Sequence, residues 1–105
     1  MIAYILVNKK SDDYTTLPTK YKQQFLFEYM TCRPESERVP DTLAALKDVL
    51  DTAEDDDVIV FNGPSWLIAL AGYVWFSQTW RRKMNVLIYD NVVKAYKEYT
   101  NDHST

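Results

Sequence analysis

At 105 residues the chain has room for one hydrophobic core and not two. A composition of 47% hydrophobic and 26% charged residues is that of a globular domain. The net charge of −3 excludes a general coat for duplex nucleic acid, which needs a broad basic field to release counterions, but not a small nucleotide held in a local site. Cys32 is the one cysteine, so no internal disulfide or multi-cysteine zinc site is expected, and the cytoplasm is the simplest location. Met1 to Val7 lacks the basic start and small-residue cleavage site of a signal peptide. The longest apolar run, Trp66 to Phe76, is well short of the roughly 20 residues a membrane helix needs.

In chain order, Ile2 to Asn8 is a short apolar run that predicts a buried strand. Lys9 to Lys20 is polar, carries Pro18, and reads as a long loop or excursion. From Tyr21 to Met30, Tyr21, Phe25, Phe27 and Tyr29 share one parity, which favours a half-buried strand over a helix. A loop with two prolines follows, and Val39-Pro40-Asp41-Thr42 opens a helix with Leu43, Leu46, Val49 and Leu50 at helical spacing. The acidic run Glu54 to Asp57 reads as solvated. Val58 to Phe61 is a fully apolar strand, typical of a sheet covered on both faces. Asn62-Gly63-Pro64-Ser65 is a sharp turn, and Trp66 to Trp80 a helix closed by the cations Arg81, Arg82 and Lys83 at its negative dipole end. Asn85 to Tyr89 is the next strand, and Val92 to Tyr99 an edge strand or a terminal helix. The fold expected is one small Rossmann-like α/β domain over residues 1–100, with a sheet of four or five strands and a flexible tail from Asn101.

Two parallel strands joined by one helix end on the same side of the sheet. Asn62 to Ser65 and Tyr89 to Asn91 therefore share the carboxyl edge, where open α/β sheets bind ligands. Gly63 permits a tight turn and close approach to a ligand, Pro64 starts a helix without losing a needed N–H, and Ser65 offers a cap or a hydroxyl. The free N–H groups at the helix start would seat a phosphate. Asp90 would face the same space, where a carboxylate binds a ribose hydroxyl or a metal ion. Lys9 and Lys10 reach this edge if the first strand is parallel to the central pair. Gly-Pro-Ser between strand and helix is also ordinary turn chemistry, and Asp before Asn is a common turn former. Apolar residues surround nearly the whole of the Trp66–Trp80 helix, which points to a homodimer through this helix or a sheet edge, unless the other helix or the aromatic loop covers it. His103, the one histidine, lies in the tail, so no Ser-His-Asp or multi-histidine metal set can be built.

The stretch from Val58 through Gly63-Pro64-Ser65-Trp66-Leu67, then a helix, then Val86-Leu87-Ile88-Tyr89-Asp90, resembles the small CRISPR-associated Csx-three ring nucleases. That family carries a strand, Gly-Pro-x-Trp-Leu, a helix, and a strand ending in Tyr-Asp. The plan of elements is similar over most of the chain, the specific residues only from Val58 to Asp90. More distantly, the unit is similar to CARF and SAVED sensor domains. The resemblance implies a CARF-like sheet and a cyclic oligoadenylate ligand, the second messenger of type III CRISPR antiviral defence. It implies that Gly63, Pro64, Ser65 and Trp66 touch the ligand, beside Asn62, Asn91, Lys9 and Lys10 at the same edge. It makes Asp90 the acidic residue associated with a divalent metal such as manganese, and Asp90 and Ser65 the candidate catalytic groups. Two departures stand out. The family's helix histidines are absent, with Ile68, Tyr73, Trp75 and Phe76 in that helix, and Asn91-Val92 follows Asp90 where the family continues Pro-Arg. Slow cleavage by placing a 2′-hydroxyl in line and stabilising phosphate charge needs no histidine. The expectation is a sponge, sensor or slow ring nuclease; the alternatives are an efficient metal-assisted ring nuclease and a non-nucleotide interaction protein.

Overall fold

The computed structural model describes residues 1–28, 39–78, 81 and 83–102. The elements are β1 (Ile2–Asn8), β2 (Lys22–Glu28), α1 (Val39–Leu50), β3 (Val58–Val60), α2 (Ser65–Phe76), β4 (Lys83–Asp90) and β5 (Ala95–Asp102). They build one five-stranded sheet in the order β2-β1-β3-β4-β5. β1 is parallel to β2 and β3, β3 is parallel to β4, and β5 alone is antiparallel. This is a small Rossmann-like α/β fold with the expected strand–turn–helix–strand crossover at its centre.

Both faces of the sheet are covered, which is why β1 and β3 are apolar at nearly every position. On one face Tyr4, Leu6, Ile59 and Val86 pack with Leu46 and Leu50 of α1 and Leu67, Ala71, Val74 and Trp75 of α2. On the other, Ala3, Ile5, Val58, Val60 and Leu87 pack with Leu17 and Tyr21 from the 9–21 segment. Topology accounts for the division. The chain steps from β1 to β2 in one direction along the sheet, then from β2 to β3 to β4 in the other. Crossovers of one hand then fall on opposite faces. The 9–21 segment takes the place of a helix on its face, anchored by Leu17 and Tyr21.

α1 starts as its sequence directs: Pro40 lies in the first turn, where no N–H is needed, with Asp41 beside it and Lys47 in the last turn. Thr42, Leu46 and Leu50, four residues apart, are its buried stripe. α2 is shorter than predicted and ends at Phe76. The Ser77 N–H donates to the Tyr73 and Val74 carbonyls, and its hydroxyl donates to Val74 O at 2.7 Å, closing the helix locally. Thr79, Trp80 and Arg82 lie outside the described residues, as do Tyr29, Met30 and His103.

Four expectations are corrected. β2 does not alternate cleanly, because it is an edge strand: Phe25 is exposed, and Leu26 and Phe27 are both half-buried. The last element is the edge strand, but it begins only at Ala95 and runs through Asp102, so Asn101 and Asp102 belong to the sheet and not to a tail. The acidic run is not simply solvated: Asp57 is buried and accepts the N–H groups of Ile2 and Glu54, both at 2.8 Å. Arg81 is not a solvated helix cap. It is 4% exposed, lies 3.8 Å over the Trp75 ring, and donates to the Leu50 and Ala53 carbonyls at 2.8 and 2.7 Å. Its charge closes the C-terminus of α1, not that of α2.

Candidate functional site at the carboxyl edge of the sheet

β1, β3 and β4 run in one direction, so Lys9 and Lys10, the Asn62–Ser65 turn, and Asp90–Asn91 all follow strand ends at one edge. The strand order reverses between β1 and β3, which makes their carboxyl ends the switch point of the sheet.

The turn is built by three residues in succession. β3 gives its last ladder bond when the Phe61 N–H donates to Leu87 O at 3.0 Å, and the Asn62 N–H then folds back onto Val60 O at 3.1 Å. Where the β1–β3 pairing has ended at Ile5 and Val60, the Asn62 side chain stands in for the next peptide group. Its Oδ1 accepts the Val7 N–H at 3.0 Å and its Nδ2 donates to Val7 O at 2.7 Å. Gly63 has φ +95°, and a Cβ there would lie 2.5 Å from Val7 Cγ2. Only glycine meets both conditions. Pro64 is the N-cap of α2 with φ −69° and ψ 148°, and its carbonyl accepts the N–H groups of Leu67 and Ile68.

α2 begins at this edge with no side-chain cap and no acidic residue in its first turn. Ser65 is exposed. Trp66 is half-buried, and its indole N–H is buried without a hydrogen-bond partner. Lys9 is half-buried and Lys10 exposed.

Asp90 ends β4 in a specific local arrangement. Its Oδ1 accepts the Val92 N–H at 2.8 Å, forming an Asx turn, and its Oδ2 pairs with Lys97 Nζ at 2.9 Å. The Lys97 bond first, and the backbone bond second, hold its carboxyl below the ordinary value of 3.8. Lys94, at φ 58°, closes the four-residue loop and returns its N–H to Asp90 O at 2.8 Å. Asn91 is exposed in that loop. These bonds take one acceptor site on each carboxylate oxygen, so a divalent ion there would compete with the Lys97 ammonium. Among the described residues, no three His, Cys, Asp or Glu side chains converge to hold one.

Sequence reasoning missed Tyr14 and Asp12. The Tyr14 hydroxyl donates to Val7 O at 3.0 Å and accepts the Lys9 N–H at 3.1 Å, and Asp12 Oδ2 accepts from Asn62 Nδ2 at 3.3 Å. Both belong to the 9–21 segment, and the lone aromatic inside that polar run was the available signal. Tyr89 and Tyr96 form an edge-on pair at 5.2 Å on the adjoining strands.

No family model, no curated protein and no solved structure matches this chain. The fold and this edge define a small Rossmann-like α/β domain.

Proposed function

We propose that the chain binds a cyclic oligoadenylate at the carboxyl edge of its sheet and holds it as a sponge or sensor, with slow cleavage at most. One observation carries the reading: α2 opens at the switch point of a parallel sheet, through Gly63 and Pro64, with neither a side-chain cap nor an acidic residue in its first turn. Such a helix start presents backbone N–H groups and a positive dipole end to a phosphate. In this reading Gly63, Pro64, Ser65 and Trp66 lie against the ligand, Lys9, Lys10 and Asn91 contribute from the neighbouring strand ends, and Asn62 sets the turn. Retention is favoured over turnover because the Asp90 carboxylate is already committed to Lys97 and to the Val92 N–H. The same reading takes the protein as a cytoplasmic homodimer in type III CRISPR antiviral signalling. Exposed Tyr73 on α2 and exposed Ile88 and Tyr99 on the β4–β5 hairpin are the surfaces for pairing.

Titration calorimetry with cyclic tri-, tetra- and hexa-adenylate tests the reading. Saturable heat with one of the rings is expected, and no heat with any ring or linear oligonucleotide would sink it. Ser65→Glu, which sets a negative charge in the first turn of α2, is expected to weaken binding roughly tenfold, ~1–2 kcal/mol. Chromatography of the products separates holding from cutting. Rapid cleavage by the wild type that Asp90→Ala abolishes would restore the nuclease reading.

A further inference from the structure

The 9–21 segment and α2 lie on opposite faces of the sheet, yet both are tied to the same residue. Asn62 is the junction. Its Oδ1 takes the Val7 N–H and its Nδ2 takes Val7 O, which fixes the turn into α2 against the end of β1. The second proton on Nδ2 has Asp12 Oδ2 at 3.3 Å and the Tyr14 hydroxyl at 3.4 Å. Tyr14 in turn grips the end of β1, donating to Val7 O and accepting the N–H of Lys9 just beyond it, so the segment and the turn share one carbonyl, Val7 O, as acceptor. Gly63 completes the contact by lying directly on the Val7 side chain. A side-chain amide with a fixed number of donors and acceptors cannot satisfy one side of this knot in a changed geometry without loosening the other.

We infer that Asn62 couples the 9–21 segment to the start of α2, so that the segment acts as a strap whose closure on one face holds the helix start on the other. The segment has no helix or strand of its own; Leu17 and Tyr21 anchor its far half, and the Tyr14–Asp12 pair is what fastens its near half at the carboxyl edge. Opening the near half withdraws Asp12 and Tyr14 from Asn62. The amide is then free to leave Val7, and the turn loses the bonds that replace the β3 ladder. This coupling goes beyond the ligand reading and does not depend on it, because both of its ends are properties of the free protein.

Native-state amide hydrogen exchange of the full chain tests it. Tyr14→Phe keeps the ring against Phe25, 5.4 Å between centroids, and deletes only the hydroxyl. The probes are the Leu67 and Ile68 amides, which donate to Pro64 O in the first turn of α2, with the Val74 amide as reference for global opening. Exchange at Leu67 and Ile68 is expected to rise roughly fivefold relative to Val74, the worth of one hydrogen bond. Leu67 and Ile68 that keep step with Val74, whether all are unchanged or all accelerate together, overturn the inference. Asn62→Asp provides the reverse arm: it keeps the acceptor for Val7 N–H and loses the donors to Val7 O and Asp12. Faster exchange both at Leu67 and Ile68 and at the strap amides of Leu17 and Tyr21 is expected. Acceleration on one side only would show that the two are independent. Should Asn62→Asp fail to fold, Tyr14→Phe decides alone.

Discussion

Gly63 carries two demands at once, a backbone at φ +95° and a surface that touches Val7. Gly63→Ala strains the first and collides with the second, and a loss of about 2–4 kcal/mol is expected, read as a lower urea midpoint at unchanged slope. Lys94 is the opposite case. It holds φ 58° without glycine, in an exposed loop, so Lys94→Gly is expected to raise stability by up to about 1 kcal/mol in the same assay. Burial raises Tyr4, Tyr14, Tyr21 and Tyr96 above the ordinary 10.0, the last two furthest. Burial, and then the hydrogen bond to Glu98, push Tyr21 far above 10.0; burial, and then the charge of Asp12, do the same for Tyr96. Raised folded values favour the neutral phenol, so their stabilisation is complete below pH ~10 and is lost as pH rises through the folded values. An ultraviolet titration is expected to show these two ionising only with alkaline unfolding, and Tyr21→Phe and Tyr96→Phe each to shift that unfolding to higher pH. Asp90 has the other sign. Its depressed value adds stability above the ordinary carboxyl range that is lost as pH falls through the folded value, so Asp90→Asn is expected to flatten the acid limb of a stability–pH curve.

At the scale of elements, the helices differ in how they are closed. α2 ends on its own Ser77, whereas α1 ends on Arg81, thirty-one residues beyond Leu50 in sequence. The guanidinium is stacked on Trp75, bonded to the last carbonyl of α1 at Leu50 and to Ala53 O just beyond it, and 3.4 Å from Asp55, while Trp75 donates its indole N–H to Lys83 O. One side chain therefore joins the end of α1, the buried face of α2 and the approach to β4. Arg81→Ala would leave those carbonyls short of a donor and open space beside Trp75; a loss of about 3 kcal/mol is expected from equilibrium unfolding. The helices themselves were legible in the sequence. Leu46 and Leu50 recur at the spacing that buries one stripe, and Pro40-Asp41 and Gly63-Pro64 mark the starts. The closure by Arg81 was not legible, because a basic triplet after a helix pattern looks the same whether it meets water or a distant carbonyl.

Across the whole molecule, the parallel core leaves two edges, β2 and β5, and one face where a strap does the work of a helix. Pairing through exposed Tyr73, Ile88 and Tyr99 predicts a sedimenting species of twice the chain mass, converted to monomer by Tyr99→Glu; a single monomer peak at high protein concentration would remove the dimer from the proposal. The sequence by itself determined β1, β3 and β4, the helix starts and the shared edge of Gly63 and Asp90, because hydrophobic period and turn residues act over a few positions; it left the last element as strand or helix, which the antiparallel pairing with β4 decided. It also located Lys9 and Lys10 at that edge, conditional on a parallel β1, and the parallel pairing is what the structure supplies. Only the tertiary structure decided what the polar side chains do. Asp57, Arg81, Asp12 and Tyr14 lie in stretches whose local pattern reads as solvent-facing, yet each bonds to a backbone group or side chain brought near by the strand order, Asn62 in the case of Asp12 and Tyr14. Hydrogen-bond partners tens of residues away leave no period in a sequence. The turn that looked like a ligand contact at every position is therefore divided: the Asn62 side chain bonds inward to Val7, Gly63 touches Val7 while staying exposed, and Ser65 is left at the open start of α2.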